Sequence, residues 1–310
     1  MNTTSLRRAG PAWIAILLLA GCGGVGGSPS PATSGSAVTP GAGAVRVVTT
    51  TTVFADIVKA VGGSRVNATS IIPPGVGPED YEPKPDDAKS LADAQLIVQN
   101  GVGLDDFLDR LLSSGSGGKT PRLVLGEGIP PIVVDGEANP HFWLDPTLVK
   151  TDYLPKIVTA LSAVAPADAA TFQANATAYG TQLDALDTEL KARIDTLPAA
   201  NRKLVTFHDA FPYFARHYGF ELVGVVLANV GQEPTAADLA ALVEKVKAAG
   251  VEAVFSEAQF NPKLAQTLAD EAGIRRVVTT LYNDALGPAP ADSYPGMMRW
   301  NVDKIVEALR

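Results

Sequence analysis

The stretch DAATFQANATAYGTQLDALDTELKARIDTL (residues 168–197) decides how the rest of the chain is organised. Its apolar residues recur every three or four positions, which is the spacing of one face of an α-helix. They are Phe172, Ala176, Tyr179, Leu183, Leu186, Leu190 and Ile194. A helix of about thirty residues would extend ~45 Å, which is longer than a small domain is wide. We therefore predict one long helix that acts as a strut between two parts of the molecule.

Strand and helix patterns alternate on both sides of this strut. Before it, strands are predicted at residues 45–52, 67–72, 95–99 and 122–125, and helices at 54–61, 86–94, 104–112 and 146–164. After it, strands are predicted at 203–207, 221–227, 251–256 and 276–280, and helices at 210–218, 236–249, 262–272 and 294–309. Such alternation is typical of parallel sheets covered by helices. We expect an α/β fold of two lobes, each a parallel β-sheet flanked by helices, with an N-terminal lobe at 45–166, a linking helix at 167–197 and a C-terminal lobe at 198–310.

The composition of the chain limits the classes of partner. The sequence has 310 residues, of which 46% are hydrophobic and 19% charged, and its net charge is −8. It contains no long basic run, which argues against a nucleic-acid partner. An acidic balance suits a protein that handles cations, although many other soluble proteins share it.

The N-terminus has the features of an export signal. Arg7 and Arg8 precede an apolar stretch at residues 12–20, which is too short to cross a bilayer and has the length of a signal-peptide core. The string LAGC (19–22) looks like a bacterial lipobox, in which the cysteine is lipidated after cleavage; Cys22 is the only cysteine. We expect a signal peptide at 1–21 and a disordered Gly/Ser/Pro-rich tether at 22–44. The alternative is an ordinary secretory signal with an incidental cysteine.

Four polar residues follow predicted strands or precede helices, where ligands bind in parallel α/β sheets. They are Glu79, His141, His208 and Asp284. Two come from each half, so a cleft between the lobes would bring them to one point. Imidazole nitrogens and carboxylate oxygens form a ligand set for zinc, manganese or iron(II). Spacing alone leaves open that each histidine is an ordinary surface or core residue.

Other polar residues near these positions have simpler interpretations. We interpret His217 as an ordinary surface residue of a helix, and Asp209 is in place to cap the helix that follows it. Trp143 is expected to serve packing.

Several longer strings share their order and spacing with one known family. They are YEPKPDDAKSLADAQLIVQNGVGLDDFL (81–108), NPHFWLDP (139–146), FHDAFPYFARHYGF (207–220) and the segment from QEPTAADL to LADEAG (232–273). In these strings the chain resembles the cluster A-I (cluster 9) metal-binding lipoproteins, the periplasmic or extracytoplasmic solute-binding components of zinc and manganese ABC importers. The resemblance runs from about Val45 to Leu309.

The resemblance implies two lobes on parallel sheets, joined by one long rigid helix, with a metal held between them by four side chains. Three of these match His141, His208 and Asp284. The family usually has a histidine at the first position, where this chain has Glu79 in the string EDYE (79–82). The first ligand is then Glu79, or Asp80 in its place, or the site is degraded. Glu257 is a lesser candidate, expected to support a ligand or the fold.

These expectations favour capture of a metal ion over catalysis. The cargo would be one divalent transition metal ion, Zn²⁺ or Mn²⁺ and possibly Fe²⁺, since two imidazoles with two carboxylates tolerate the harder ions better than three imidazoles do. The segment 113–139 has no histidine, which weakens the case for a dedicated zinc protein. The predicted partners are an ABC permease and, through the lipid, the membrane; the protein is expected to be an extracytoplasmic monomer. The alternatives are a metal-dependent hydrolase with Glu79 or Asp80 as general base, and an adhesin-like surface protein with a structural metal.

Overall fold

The computed structural model of the protein describes residues 43–78, 81–114, 119–134, 136–227 and 234–310. The predicted signal peptide, Cys22 and nearly all of the predicted tether lie outside the described residues, and so do Glu79 and Asp80. None of the described helices has the length and apolar character needed to cross a membrane.

The N-terminal half is built on a four-stranded sheet in which all strands are parallel. The strands are β1 (Val45–Thr49), β2 (Val66–Ser70), β3 (Leu96–Gln99) and β4 (Arg122–Val124), in the order β2-β1-β3-β4. The connecting helices are α1 (Thr52–Gly62), α2 (Pro85–Asp93) and α3 (Phe107–Ser114). Every residue of the central strand β3 is buried, as expected for a sheet covered on both faces.

A short antiparallel pair, which the sequence patterns do not reveal, follows this sheet. Its strands are β5 (Val133–Val134) and β6 (Glu137–Ala138). Two-residue strands are too short to display a period-2 pattern, so nothing in the sequence distinguishes them from a loop.

The helix predicted at 146–164 is interrupted by a π-helical turn. It consists of α4 (Pro146–Leu148), a π-helical segment (Val149–Tyr153) and α5 (Leu154–Val164). Pro155 is the second residue after the π-helical turn and has no N–H to donate to the preceding turn. Widening the helix there accommodates the missing hydrogen bond.

The long helix α6 (Ala169–Ile194) contains 26 residues and is ~39 Å long. All seven apolar residues that predicted it are buried, as is Gly180. The helix packs against α1 and α5 of the N-terminal half and against the last helix of the chain, α10 (Tyr294–Leu309). It ends before the predicted residue 197 because Leu197 forms a tighter turn, with its N–H bonded to the carbonyl of Ile194.

The C-terminal half contains two parallel strand pairs. β7 (Lys203–His208) pairs with β8 (Glu221–Leu227), and β9 (Ala253–Glu257) pairs with β10 (Arg276–Leu281). β9 also lies alongside β7. The helices are α7 (Pro212–Tyr218), α8 (Ala236–Ala249) and α9 (Lys263–Ala272), in addition to α10. The expected α/β class, with parallel strands on both sides of one long helix, is confirmed.

One hydrophobic core runs through both halves. It includes Val47 of the first sheet, Leu186 of α6, Phe255 of β9 and Val302 of α10. The division into lobes at residues 166 and 197 therefore stays a prediction, because the main core is continuous across these positions.

Candidate metal centre

Three of the four candidate ligands meet at one buried point. His208 is the last residue of β7, His141 lies in the loop before a 3₁₀ turn, and Asp284 lies in the loop after β10. Their candidate ligand atoms all lie within 4.8 Å of one another. Within the described parts of the chain, no other group of three or more His, Cys, Asp or Glu side chains has this arrangement. The fourth candidate, Glu79, lies outside the described residues.

The carboxylate of Asp284 lies between the two imidazoles. Its Oδ1 is 3.3 Å from Nε2 of His141, and its Oδ2 is 3.5 Å from Nε2 of His208. Burial by itself would raise the pKa of Asp284, but a hydrogen bond from His141 and the positive charges of the two imidazoles, when they are protonated, outweigh burial, so its pKa lies below the usual value. The ionised carboxylate is the form that binds a cation.

His141 is oriented by its neighbours in the NPHFWLDP string. Oδ1 of Asn139 lies 3.1 Å from both the backbone N and the ring Nδ1 of His141. The carbonyl of Pro140 accepts a hydrogen bond from the side chain of Asn100 in the N-terminal half, at 3.0 Å. These contacts direct Nε2 of His141 toward Asp284.

Trp143 joins the loop of His141 to the loop of Asp284. Its indole N–H donates to the carbonyl of Asn283 at 2.7 Å, and its own carbonyl accepts from the hydroxyl of Tyr294 at 2.7 Å. The ring is fully buried and meets Phe54 edge-on, with 5.1 Å between centroids. The predicted packing role is confirmed, and the indole N–H adds a link between two ligand loops that the sequence did not reveal.

Glu257 contacts the ring of His208. It is the last residue of β9, is 1% exposed, and places Oε1 at 3.1 Å from Nδ1 of His208. Because β9 lies alongside β7, the two strand ends bring the pair together. Metal-bound histidines commonly donate their second ring N–H to a carboxylate, which fixes the ring and makes it a stronger ligand.

The sequence patterns do not reveal two amide side chains that contact the candidate ligands, those of Gln259 and Asn283. Nε2 of Gln259 is 3.1 Å from Oδ2 of Asp284. Nδ2 of Asn283 is 3.2 Å from Nε2 of His208. The only sequence signal for Asn283 was its position next to Asp284.

His217 is not an ordinary surface residue, and that interpretation was wrong. Its side chain is 13% exposed and lies between two carboxylates. Nε2 is 2.7 Å from Asp187 of α6, and Nδ1 is 3.4 Å from Asp145, the N-cap of α4. The helical pattern of α7 did not reveal this because the burial comes from packing between different elements.

Asp209 does not cap the helix that follows it. The N-cap of α7 is Phe211, without a side-chain hydrogen bond. Asp209 instead accepts a hydrogen bond from Nδ2 of Asn139, at 2.6 Å to its carbonyl and 3.1 Å to its carboxylate.

A cavity of about 600 Å³ opens onto the imidazoles. Its lining includes Pro78, Tyr81 and Glu137 from the N-terminal half and Asp209 and Val225 from the C-terminal half. The site therefore lies at the inner end of a cleft to which both halves contribute. Two oriented imidazole nitrogens and one ionised carboxylate suit a divalent transition metal.

The sequence matches one protein family and is similar to several named metal-transport proteins. Residues 47–308 match the model of the family described as zinc-uptake complex component A, periplasmic. The iron ABC transporter substrate-binding lipoprotein MtsA of Streptococcus pyogenes is 30% identical over 277 residues, covering 86% of this chain and 89% of MtsA. The manganese-binding lipoprotein MntA of Halalkalibacterium halodurans is 31% identical over 267 residues, covering 86% of this chain and 88% of MntA.

Solved structures share the fold. The periplasmic zinc-binding protein TroA of Treponema pallidum matches with a TM-score of 0.79 and 31% identity, over 86% of this chain and 99% of TroA. The manganese-bound periplasmic metal-binding protein of Candidatus Liberibacter asiaticus matches with a TM-score of 0.77 and 25% identity, over 86% of this chain and all of that one. The sequence match spans nearly all of the folded part, and the chain belongs to the family of zinc-uptake complex component A proteins.

Proposed function

We propose that this protein is the extracytoplasmic binding component of an ABC importer, and that it captures one divalent transition-metal ion and delivers it to the permease. The observation that carries the proposal is the convergence of His141, His208 and Asp284 within 4.8 Å at the inner end of a cleft. The family and the relatives named above are transport components that bind metals, which supports the same conclusion.

The proposed ligands are Glu79, His141, His208 and Asp284. Pro78 and Tyr81, which flank Glu79 and Asp80 in the sequence, line the same cavity as the two histidines, which supports a ligand from this segment. Glu79 takes the first position, with Asp80 as its competitor. Four protein ligands leave no open coordination position, which is typical of a holding site rather than a catalytic one.

The proposed cargo is Zn²⁺ or Mn²⁺. Two imidazoles and two carboxylates accept manganese and iron(II), whereas zinc binds such sites more tightly by the general affinity order. The relatives are described as binding components for iron, manganese and zinc, which supports a site of this mixed character.

We further propose that the lipidated Cys22 and the tether at residues 22–44 hold a monomeric body near the membrane. A flexible tether of about twenty residues typically spans ~25 Å, which allows the body to reach a permease. The long helix α6 contacts both halves, so binding is expected to cause small tilts instead of wide closure. The hydrolase alternative has no support, because the family consists of transport binding proteins.

Metal binding by the purified protein, with elemental analysis under competition between zinc and manganese, tests the proposal. We expect one metal ion per chain in the wild type, and loss of that ion in His141→Ala and in His208→Ala. The matched control is His217→Ala, because His217 is the third of three histidines and, among the described residues, its ring nitrogens face Asp187 and Asp145 instead of His141, His208 or Asp284. A wild-type protein without metal, or equal loss in all three variants, would refute capture at this site.

A further inference from the structure

The side chain of Asn139 lies between the loop that carries His141 and the loop that directly follows His208. It is 5% exposed. Its Oδ1 is 3.1 Å from the backbone N and 3.1 Å from Nδ1 of His141. Its Nδ2 donates to the carbonyl of Asp209 at 2.6 Å and to its carboxylate at 3.1 Å. Since Asp209 directly follows His208, one amide connects both histidine loops.

The backbone of Asn139 also makes hydrogen bonds, at both its N–H and its carbonyl. Its N–H donates to the carbonyl of Ile132 at 2.8 Å, and its carbonyl accepts from the hydroxyl of Tyr213 at 2.8 Å. Tyr213 lies on α7, so the position of this residue is set by elements of both halves. The amide is thus presented to His141 from a fixed point.

Two backbone groups determine which way the amide points. The oxygen and nitrogen of an asparagine side chain are assigned from their hydrogen-bond partners. The backbone N–H of His141 can only donate, so it requires Oδ1; the backbone carbonyl of Asp209 can only accept, so it requires Nδ2. The reversed amide would place two donors together at His141 and two acceptors together at Asp209.

This orientation decides the tautomer of His141. Because Oδ1 of Asn139 is an acceptor, the ring nitrogen that faces it must carry a hydrogen, and that nitrogen is Nδ1. In the neutral ring the lone pair is then on Nε2, the atom that faces Asp284 at 3.3 Å. Among the described residues, Nε2 of His141 has no hydrogen-bond partner. The metal-binding lone pair is thus directed into the site.

We propose that Asn139 is a positioning residue for metal capture: it holds His141 in the Nδ1–H tautomer and couples that ring to the loop of His208. The inference rests on the proposed function, since it assigns how the ligand set is prepared. His208 is prepared differently, with the carboxylate of Glu257 at its Nδ1. Nδ1 of His141 therefore faces a neutral amide, whereas Nδ1 of His208 faces a carboxylate.

The ring tautomer provides a readout that a merely structural role would not change. The chain has three histidines, so ¹⁵N–¹H correlation spectra of the imidazole rings contain three sets of signals, assignable with His217→Ala. At pH 8, with and without Zn²⁺, we expect His141 of the wild type as the Nδ1–H tautomer. Asn139→Ala is expected to lose this preference and to bind Zn²⁺ about 10- to 100-fold more weakly.

Two further variants keep the test decisive. Asn139→Asp keeps an acceptor for Nδ1 but loses the donor to Asp209, so it is expected to retain the tautomer of His141 and recover only part of the affinity. Asn175→Ala removes another amide that bonds a backbone carbonyl, that of Val61 at 2.9 Å, and should change neither property. If Asn139→Ala does not fold, as judged by circular dichroism, Asn139→Ser replaces it in the comparison.

The outcomes separate this inference from the proposed function. If Asn139→Ala, or Asn139→Ser in its place, retains both the Nδ1–H tautomer and the affinity of the wild type, the role of Asn139 is refuted while capture stands. If the wild type binds no zinc, capture is refuted, and the spectra recorded without metal still report whether Asn139 sets the tautomer.

Discussion

Two buried carboxylates, Glu257 and Asp284, contact the same imidazole at its two nitrogens. Asp284 faces Nε2 of His208 at 3.5 Å, whereas Glu257 faces Nδ1 at 3.1 Å. Only Asp284 also reaches His141. This difference supports the proposal that Asp284 binds the metal whereas Glu257 supports one of its ligands.

This distinction predicts how Glu257→Gln behaves. The substitution preserves the size of the side chain but removes the charge that strengthens His208 as a ligand, so metal affinity should fall about 10- to 100-fold without loss of the one-to-one ratio. Isothermal titration with Zn²⁺ or Mn²⁺ measures both quantities. The matched control is Glu252→Gln, a half-exposed carboxylate just before β9 that pairs with Arg276. Unchanged affinity in Glu257→Gln would contradict the supporting role.

Charged side chains surround the partly buried imidazole of His217. Its imidazole lies between Asp187 and Asp145, while Asp187 also binds Lys191 at 2.7 Å. Burial tends to raise the pKa of Asp187, but the bonds from Lys191 and His217 outweigh it, and the pKa lies below 3.8. Tyr218 also meets the His217 ring edge-on.

The lowered pKa of Asp187 predicts a pH-dependent contribution to stability. A carboxylate whose pKa is lower in the folded state stabilises the fold above its unfolded pKa of 3.8, and this contribution is lost as pH falls through the folded pKa. Asp187→Asn should therefore lower the free energy of unfolding by about 1.5 kcal/mol at pH 7. The difference from wild type should shrink below pH 3.8. Urea denaturation at pH 7 and pH 3 measures it, and a difference that is independent of pH would contradict the assignment.

The long helix α6 contains a glycine, Gly180, that neither its backbone conformation nor its neighbours require. Gly180 has an ordinary helical backbone, and a Cβ there would meet Lys150 at 3.6 Å and Leu154 at 3.9 Å, which are normal contact distances. Glycine within a helix costs about 1 kcal/mol relative to alanine. The neighbouring helix therefore leaves room for a methyl group.

Gly180→Ala is accordingly expected to raise the free energy of unfolding by about 0.5–1 kcal/mol, as measured by urea denaturation. Gly126→Ala serves as the opposite case, because a Cβ at that position would lie 2.8 Å from Phe142 and 2.9 Å from the carbonyl of Asn100. That variant should be destabilised. A loss of stability in Gly180→Ala would show that α6 requires a closer approach of α5 than these distances indicate.

The candidate metal centre and the main hydrophobic core both include residues from the two halves of the chain. His141 comes from before α6, whereas His208 and Asp284 come from after it. The main hydrophobic core is likewise continuous from the first sheet through α6 to α10. A ligand bound only by the folded state stabilises everything that unfolds together with its site.

We therefore expect metal to raise the stability of the described body as one unit. At a free metal concentration of 100 Kd the gain is about 2.7 kcal/mol, and thermal unfolding followed by circular dichroism and by tryptophan fluorescence should shift together. His141→Ala should show no shift with added metal. Two separate transitions, of which metal moves only one, would instead indicate lobes that unfold independently.

The features that depend on the local spacing of residues could be predicted from the sequence. The seven apolar positions of α6 follow the helical period, and the strands around them follow runs of β-branched residues, so the α/β class was predictable. Because parallel strands direct their carboxyl ends to one edge, the same pattern predicted where His208 and Asp284 would lie. Their role as ligands, with that of Glu79, stays a prediction.

Only the folded structure shows which side chains of other elements contact the candidate ligands and the residues of the helices. Asn139 was unassigned and His217 was misread, because each is defined by a partner distant in the chain: Asp209 and Asp187, respectively. The period of a helix or strand reports which face is apolar, but it carries no information about which residue of another element packs against that face. Hydrogen bonds between elements depend on how the elements are arranged in space, and only the folded chain specifies that arrangement.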